Sequence, residues 1–277
     1  MTTHSKSVAK QDAILAAREG LIPVHQSTRL GGFGNMLRKE IGQWWGTRTW
    51  WVQILIWVLI LNGITTITAL TDSMAPNENE LLRVVVQTFL ALGIAAVGMG
   101  TVITVQGAIV GEKQLGTAAW VMSKPASRAA FILAKTLAYA SGYWITAIII
   151  PAIIFIIVTG QLLTAPLAIS SFLIGLALMA LGQLFYLTLT LMLGMFFNSR
   201  GPVAGIGIAF IMTGLMLDSF IPLPVLIVTP WPLADIAGGL ALGSDLPSVW
   251  PVPILATVIW IVVMRAVALW RFEREEF

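Results

Sequence analysis

The chain has 277 residues, 57% of them hydrophobic and 10% charged, with a mean hydropathy of +0.88; soluble domains carry about 25% charged residues, so a water-soluble globule is excluded and an integral membrane protein is implied. The net charge of +3 does not point to nucleic acid, because that needs a continuous basic surface and here the basic residues are parcelled out between apolar runs. With no cysteine in the chain, thiol catalysis, thiolate metal sites and disulfides are excluded.

Residues 1–49 are polar, hold seven Lys or Arg and lack the pattern of a cleavable signal peptide. Asp12 to Glu19, closed by Gly20, has the pattern of a short helix without identifiable chemistry. From 33 to 48, Phe33, Leu37, Ile41, Trp44 and Trp45 fall within about a third of a helical wheel, with Asn35, Arg38 and Lys39 opposite. This predicts an amphipathic helix on the membrane surface, either a simple anchor or a docking surface for a cytoplasmic partner. Two residues spoil the stripe: Glu40 projects towards it and Met36 away.

Six apolar runs of spanning length follow, at 50–70, 84–109, 136–158, 168–197, 203–221 and 254–269; a transmembrane helix requires about 20 residues, and the second and fourth runs, longer than that, are expected to tilt or project from the bilayer. They predict an all-α fold with one six-helix transmembrane domain over 50–277. Of the 16 basic residues, 14 fall in the segments on one side, and Arg83 is the only one in the segments opposite. Lys and Arg are retained on the cytoplasmic side, which places both termini there. Arg265, in the inner half of the last span, is expected to snorkel to the headgroups.

Between the second and third spans, Gly111 to Arg128 has the pattern helix, turn, helix. Thr117 caps a short helix containing Trp120, Pro125 stops it, and Ser127 caps the helix that enters the third span. Such a helix is suited to transmitting a push, although an ordinary basic inside loop has the same composition. The segment from Pro222 to Pro253 holds seven of the thirteen prolines and is too apolar for an exposed loop. It predicts a re-entrant or interfacial hairpin on the external side, with a helix over Trp231 to Leu242 ended by Gly238, Gly239 and Gly243; a lipid-facing surface loop is the competing reading. Asp218, near the outer end of the fifth span, either lines an exit vestibule or is simply wet. Gly201 and Gly205 form a Gly-x-x-x-Gly pair, which serves packing within the chain or dimerisation. Asn62, Thr65, Gln183, Tyr186, Thr188 and Thr190 supply uncharged polar groups that either bond between helices or touch a substrate.

No phosphate-binding loop is present, the two histidines His4 and His25 are remote from any carboxylate cluster, and the spans lack the chain of acids a proton-coupled pump uses. Neither a catalytic residue nor a metal or cofactor site is therefore expected in the chain.

The set Glu112, Gly116-Thr117, Ser123-x-Pro125, Ser127-Arg128 and Lys135 after the second of six spans resembles the membrane subunit of ATP-binding-cassette (ABC) transporters of the type 2 exporter class. The resemblance implies that the loop after the second span is a coupling helix docked on an ATPase subunit, through Glu112, Gly116, Thr117, Trp120, Ser123, Pro125 and Arg128. It implies that the amphipathic helix, with Phe33, Leu37, Arg38, Lys39, Glu40 and Trp44, lies beside that loop, and that re-entrant helices carrying Trp231 and Asp235, with Asp218, gate the external end. Two membrane subunits, identical or paralogous, would pair through the first and fifth spans, where Gly201 and Gly205 fall. Two partner ATPase subunits would bind ATP and Mg, in a prokaryotic cytoplasmic membrane. Lys124, between Ser123 and Pro125, departs from the family's usual apolar or small residue, and so does the long polar amino-terminal segment. The expected function is that of an export permease without enzymatic activity of its own; the alternative is a channel or secondary transporter that works alone, and a lipid-modifying enzyme is disfavoured by the lack of paired acids or histidines.

Overall fold

A computed structural model describes residues 30–72, 75–115, 127–217 and 220–274. The helix expected over Asp12 to Glu19, the loop residues Gly116, Thr117, Trp120, Ser123 and Pro125, and Asp218 lie outside the described residues. Among those described, every regular element is helical: α1 Phe33–Trp45, α2 Thr49–Thr71, α3 Glu78–Gln114, α4 Arg128–Leu162, α5 Ile169–Phe196, α6 Arg200–Leu217, α7 Leu223–Leu226, α8 Leu233–Leu242 and α9 Pro251–Glu273. Five of them, α2 to α5 and α9, are long and apolar enough to cross a bilayer. The chain is a multi-pass membrane protein.

Local chemistry sets the ends of these helices. Asn77 starts α3 by accepting the Glu80 N–H at 3.0 Å, with Glu78 and Glu80 in the positive first turn. Ser127 starts α4 by accepting the Ala130 N–H at 3.0 Å. Pro151 follows a π-helical stretch in α4, Trp144–Ile149; proline offers no N–H to the carbonyl four residues back, and the wider turn absorbs that break. A second π turn, Val58–Asn62, interrupts α2.

Both helices flanking the loop at 116–126 outrun the membrane. α3 has 37 residues and α4 35, about 55 and 52 Å at 1.5 Å per residue, against roughly 30 Å of hydrocarbon. The apolar runs at 84–109 and 136–158 mark only their middles, because charged residues such as Arg83, Glu112, Arg128 and Lys135 break the run while the helix continues through them. α6 begins three residues before the expected run at 203–221 and stops at Leu217, short of the length the five long helices reach. α8 starts at Leu233 and not at Trp231, because Pro232 disfavours helical backbone at the residue before it. Gly238 and Gly239 lie inside α8, which Gly243 alone ends in the left-handed conformation, φ 62°.

α5 is the central helix, packed against α3, α4, α6, α8 and α9, and 56% of its apolar window is buried, compared with 22% for α2 at the periphery. Phe89, Phe155 and Phe172 join α3, α4 and α5, with ring centroids 4.4 to 5.9 Å apart. Phe131 and Phe272, stacked at 5.4 Å, fasten the start of α4 to the end of α9.

Candidate functional site

The basic residues Lys39, Lys113, Arg128 and Lys135 gather where α1, the end of α3 and the start of α4 meet. α1 runs alongside the first turns of α4 in the same direction. Gly31 accepts the Ser127 N–H at 3.0 Å, Glu40 meets Lys135, and Trp44 packs on Tyr139 and Tyr143 at 5.7 and 5.3 Å. Trp44 also lies flat against Gly142, where any side chain would overlap its ring. The face of α1 turned to the protein carries Phe33, Met36, Leu37, Glu40, Ile41 and Trp44, with Arg38 and Lys39 exposed. The expected stripe is therefore corrected by rotation: Met36 points inwards, and Glu40 is no flaw because its partner is a lysine of α4.

That lysine is the centre of a buried charge network. Lys135, 3% exposed, donates to Glu40 Oε1 at 3.0 Å and to Glu112 Oε1 at 3.1 Å. Lys39, half exposed, completes it at 3.1 Å from Glu112 and 3.5 Å from Glu40. Two carboxylates and two ammonium groups balance, and the Lys135 ammonium lies over the Phe131 ring, 5.2 Å from its centroid. Charges removed from water are tolerated only when paired in this way. The far end of α4 is about 40 Å away along the helix, so the network sits beyond the hydrocarbon thickness measured from that end.

The same region clamps both stems of the loop at 116–126. Lys113 Nζ donates to the Met195 carbonyl at 3.0 Å and Gln114 to the Asn198 carbonyl at 2.9 Å, which ties the end of α3 to the end of α5. Arg128 donates to the Glu273 carbonyl and lies over the Phe272 ring, 5.8 Å from its centroid, which ties the start of α4 to α9. Sequence reasoning named Glu112, Arg128 and Glu40 separately. It placed Lys135 in a motif without seeing that it joins two of them, since the partners lie 95 and 23 positions away.

At the opposite end, α8 packs against α3 and α5. Trp231 donates its indole N–H to the Phe210 carbonyl at 3.2 Å and lies over Gly214 of α6, where a side chain would overlap it. With Tyr186 and Asp235 it lines a cavity of about 210 Å³. An apolar cleft of about 620 Å³ lies beside it, between α2, α3 and α6, with Trp57, Met99 and Leu215 in its walls. A third hollow, about 330 Å³, holds Glu80, Arg83, Asp235 and Asp245, and Arg83 there donates to Ser244 Oγ at 3.0 Å.

The uncharged polar residues divide. Thr65, Thr188 and Thr190 bond back to carbonyls of their own helix at 2.7 to 2.8 Å, so they do not link helices. Gln183 reaches Thr101 of α3 at 3.5 Å, while Tyr186 faces the cavity. Gly201 and Gly205 are exposed, and a Cβ on either meets nothing within 4 Å; they do not serve packing within the chain. Arg265 is half-buried in α9. Among the described residues, no group of three or more His, Asp or Glu is placed to hold a metal ion.

Residues 50–277 match the model of a family described as protein of unknown function, DUF2705. No curated protein matches the chain. Because the family match covers well over half of its length, the chain belongs to the DUF2705 family.

Proposed function

We propose that the chain is the membrane-spanning subunit of an ABC exporter of the type 2 class, receiving motion from separate ATPase subunits at its basic end. The observation that carries this reading is the Glu40–Lys135–Glu112 network. It fuses α1 to the two helices that flank the loop at 116–126, so a displacement of that loop or of α1 moves α3 and α4 as one body. In this reading α6 is a sixth span, about 27 Å long and close to the hydrocarbon thickness. The basic end is cytoplasmic by the distribution of Lys and Arg, both termini lie inside, and α7 and α8 form the external re-entrant hairpin. α1 is the interface helix, and the segment containing Gly116, Thr117, Trp120, Ser123 and Pro125 is the coupling helix. The exposed Gly201 and Gly205 of α6 give a second permease copy a close packing surface. ATP and Mg belong to the partner subunits.

Affinity purification of the full chain from its native membrane tests this. The expected result is co-purification of an ATP-binding subunit, with ATP hydrolysis by the complex and none by the isolated chain. Substrate or ion flux through the isolated chain in liposomes, with no ATPase recovered, would replace this reading by that of a channel or secondary transporter.

A further inference from the structure

Tyr186 is 2% exposed. It lies where Gly98 lets its ring press on α3, lines the 210 Å³ cavity, and its hydroxyl makes no hydrogen bond among the described residues. Trp231 and Asp235 line the same cavity. A carboxylate beside two aromatic rings is the arrangement that captures an organic cation, through charge and through the negative faces of the rings. The cavity does not stand alone. Ala91, Ala95 and Leu215 belong both to it and to the apolar cleft of about 620 Å³, and Asp235 belongs both to it and to the hollow containing Glu80, Arg83 and Asp245. The walls of the cleft are mostly small or apolar side chains, which suits a hydrocarbon chain.

We infer that these three spaces form one binding path for a cationic amphiphile: the alkyl chain lies in the cleft along α3, and an ammonium head sits between Asp235, Trp231 and Tyr186. The cleft alone, about 620 Å³, has the size of a ligand site, about 300–1,000 Å³. This names the substrate class of the proposed exporter and so rests on that reading, but binding itself needs no ATPase.

Photo-crosslinking of the purified full chain in phosphatidylglycerol nanodiscs tests it, with dodecyltrimethylammonium carrying a diazirine in the tail and a sulfate-headed probe of the same tail. The expected result is saturable labelling of peptides around Ala91 to Met99 and around Leu215 by the cationic probe, with half-saturation about tenfold lower than for the sulfate probe. Asp235→Asn should raise that half-saturation about tenfold, Asp235→Glu should largely restore it, and Tyr186→Phe, which takes away no hydrogen bond of the fold, should raise it about threefold. Equal labelling by both probes, or labelling unchanged by Asp235→Asn and Tyr186→Phe, overturns the inference whatever the ATPase experiment shows. Head-selective labelling by a chain that purifies without an ATPase upholds the site and removes only the exporter reading.

Discussion

Both ends of the bundle lay a tryptophan over a glycine, Trp44 on Gly142 and Trp231 on Gly214, but the basic end adds an ionic junction. At the basic end, α1, α3 and α4 are joined by four charges within 3.0 to 3.5 Å of one another, and the flanking carbonyls of Met195, Asn198 and Glu273 are taken up by Lys113, Gln114 and Arg128. At the other end, α6, α8 and the tops of α3 and α5 meet through rings laid over glycines, around a space that stays unfilled. A paired ionic junction has one good geometry and resists being pulled apart, whereas apolar surfaces around a cavity slide at little cost. The basic end is in this way the more firmly tied of the two.

Removing Lys135 should break this contrast most severely. Lys135→Met leaves Glu40 buried with only the more distant Lys39, and should cost about 3 kcal/mol, the low end for a broken buried pair; thermal unfolding of the purified protein measures it. The double variant Glu40→Leu with Lys135→Met should recover most of that loss, because an apolar pair of similar volume is often neutral. Gly142→Leu drives Trp44 off α4 and should cost about 1–3 kcal/mol by overpacking. Gly214→Leu displaces Trp231 and should cost less, because the cavity gives the ring somewhere to go; the wavelength of tryptophan emission reports that movement. Lys39→Ala, at the half-exposed edge of the network, should change stability by less than about 1 kcal/mol. Gly205→Leu should leave unfolding unchanged, since a side chain there meets nothing, and should instead weaken self-association of the chain, read by cross-linking in nanodiscs.

The greasy middles of the long helices are legible in the sequence because hydrocarbon imposes one requirement, an uninterrupted apolar run. Their ends are not, since α3 and α4 continue through charged residues such as Glu112, Arg128 and Lys135, at which an uncharged run stops but the helix does not. Glu40 shows a second limit. A helical wheel scores α1 against an unspecified apolar surface, so an inward carboxylate looks like a defect until Lys135 is placed beside it. The cavity end was the least legible. Tyr186 belongs to a run of threonines that satisfy themselves on their own helix, and only the packing of α8 against α3 and α5 distinguishes it from them. Trp231 and Asp235, in contrast, stood out as an aromatic and an acid among prolines.

The central claim is that the basic end couples a partner's ATP hydrolysis to movement of the spans, and Glu112→Gln in the complex purified with its ATPase tests it most directly. ATP hydrolysis and export into or out of sealed vesicles are measured in parallel on the same preparation. The predicted result is that the complex still assembles and hydrolyses ATP while export per ATP falls at least about tenfold, a loss of roughly 1.4 kcal/mol of coupling. Export per ATP equal to that of the unaltered complex would contradict the account.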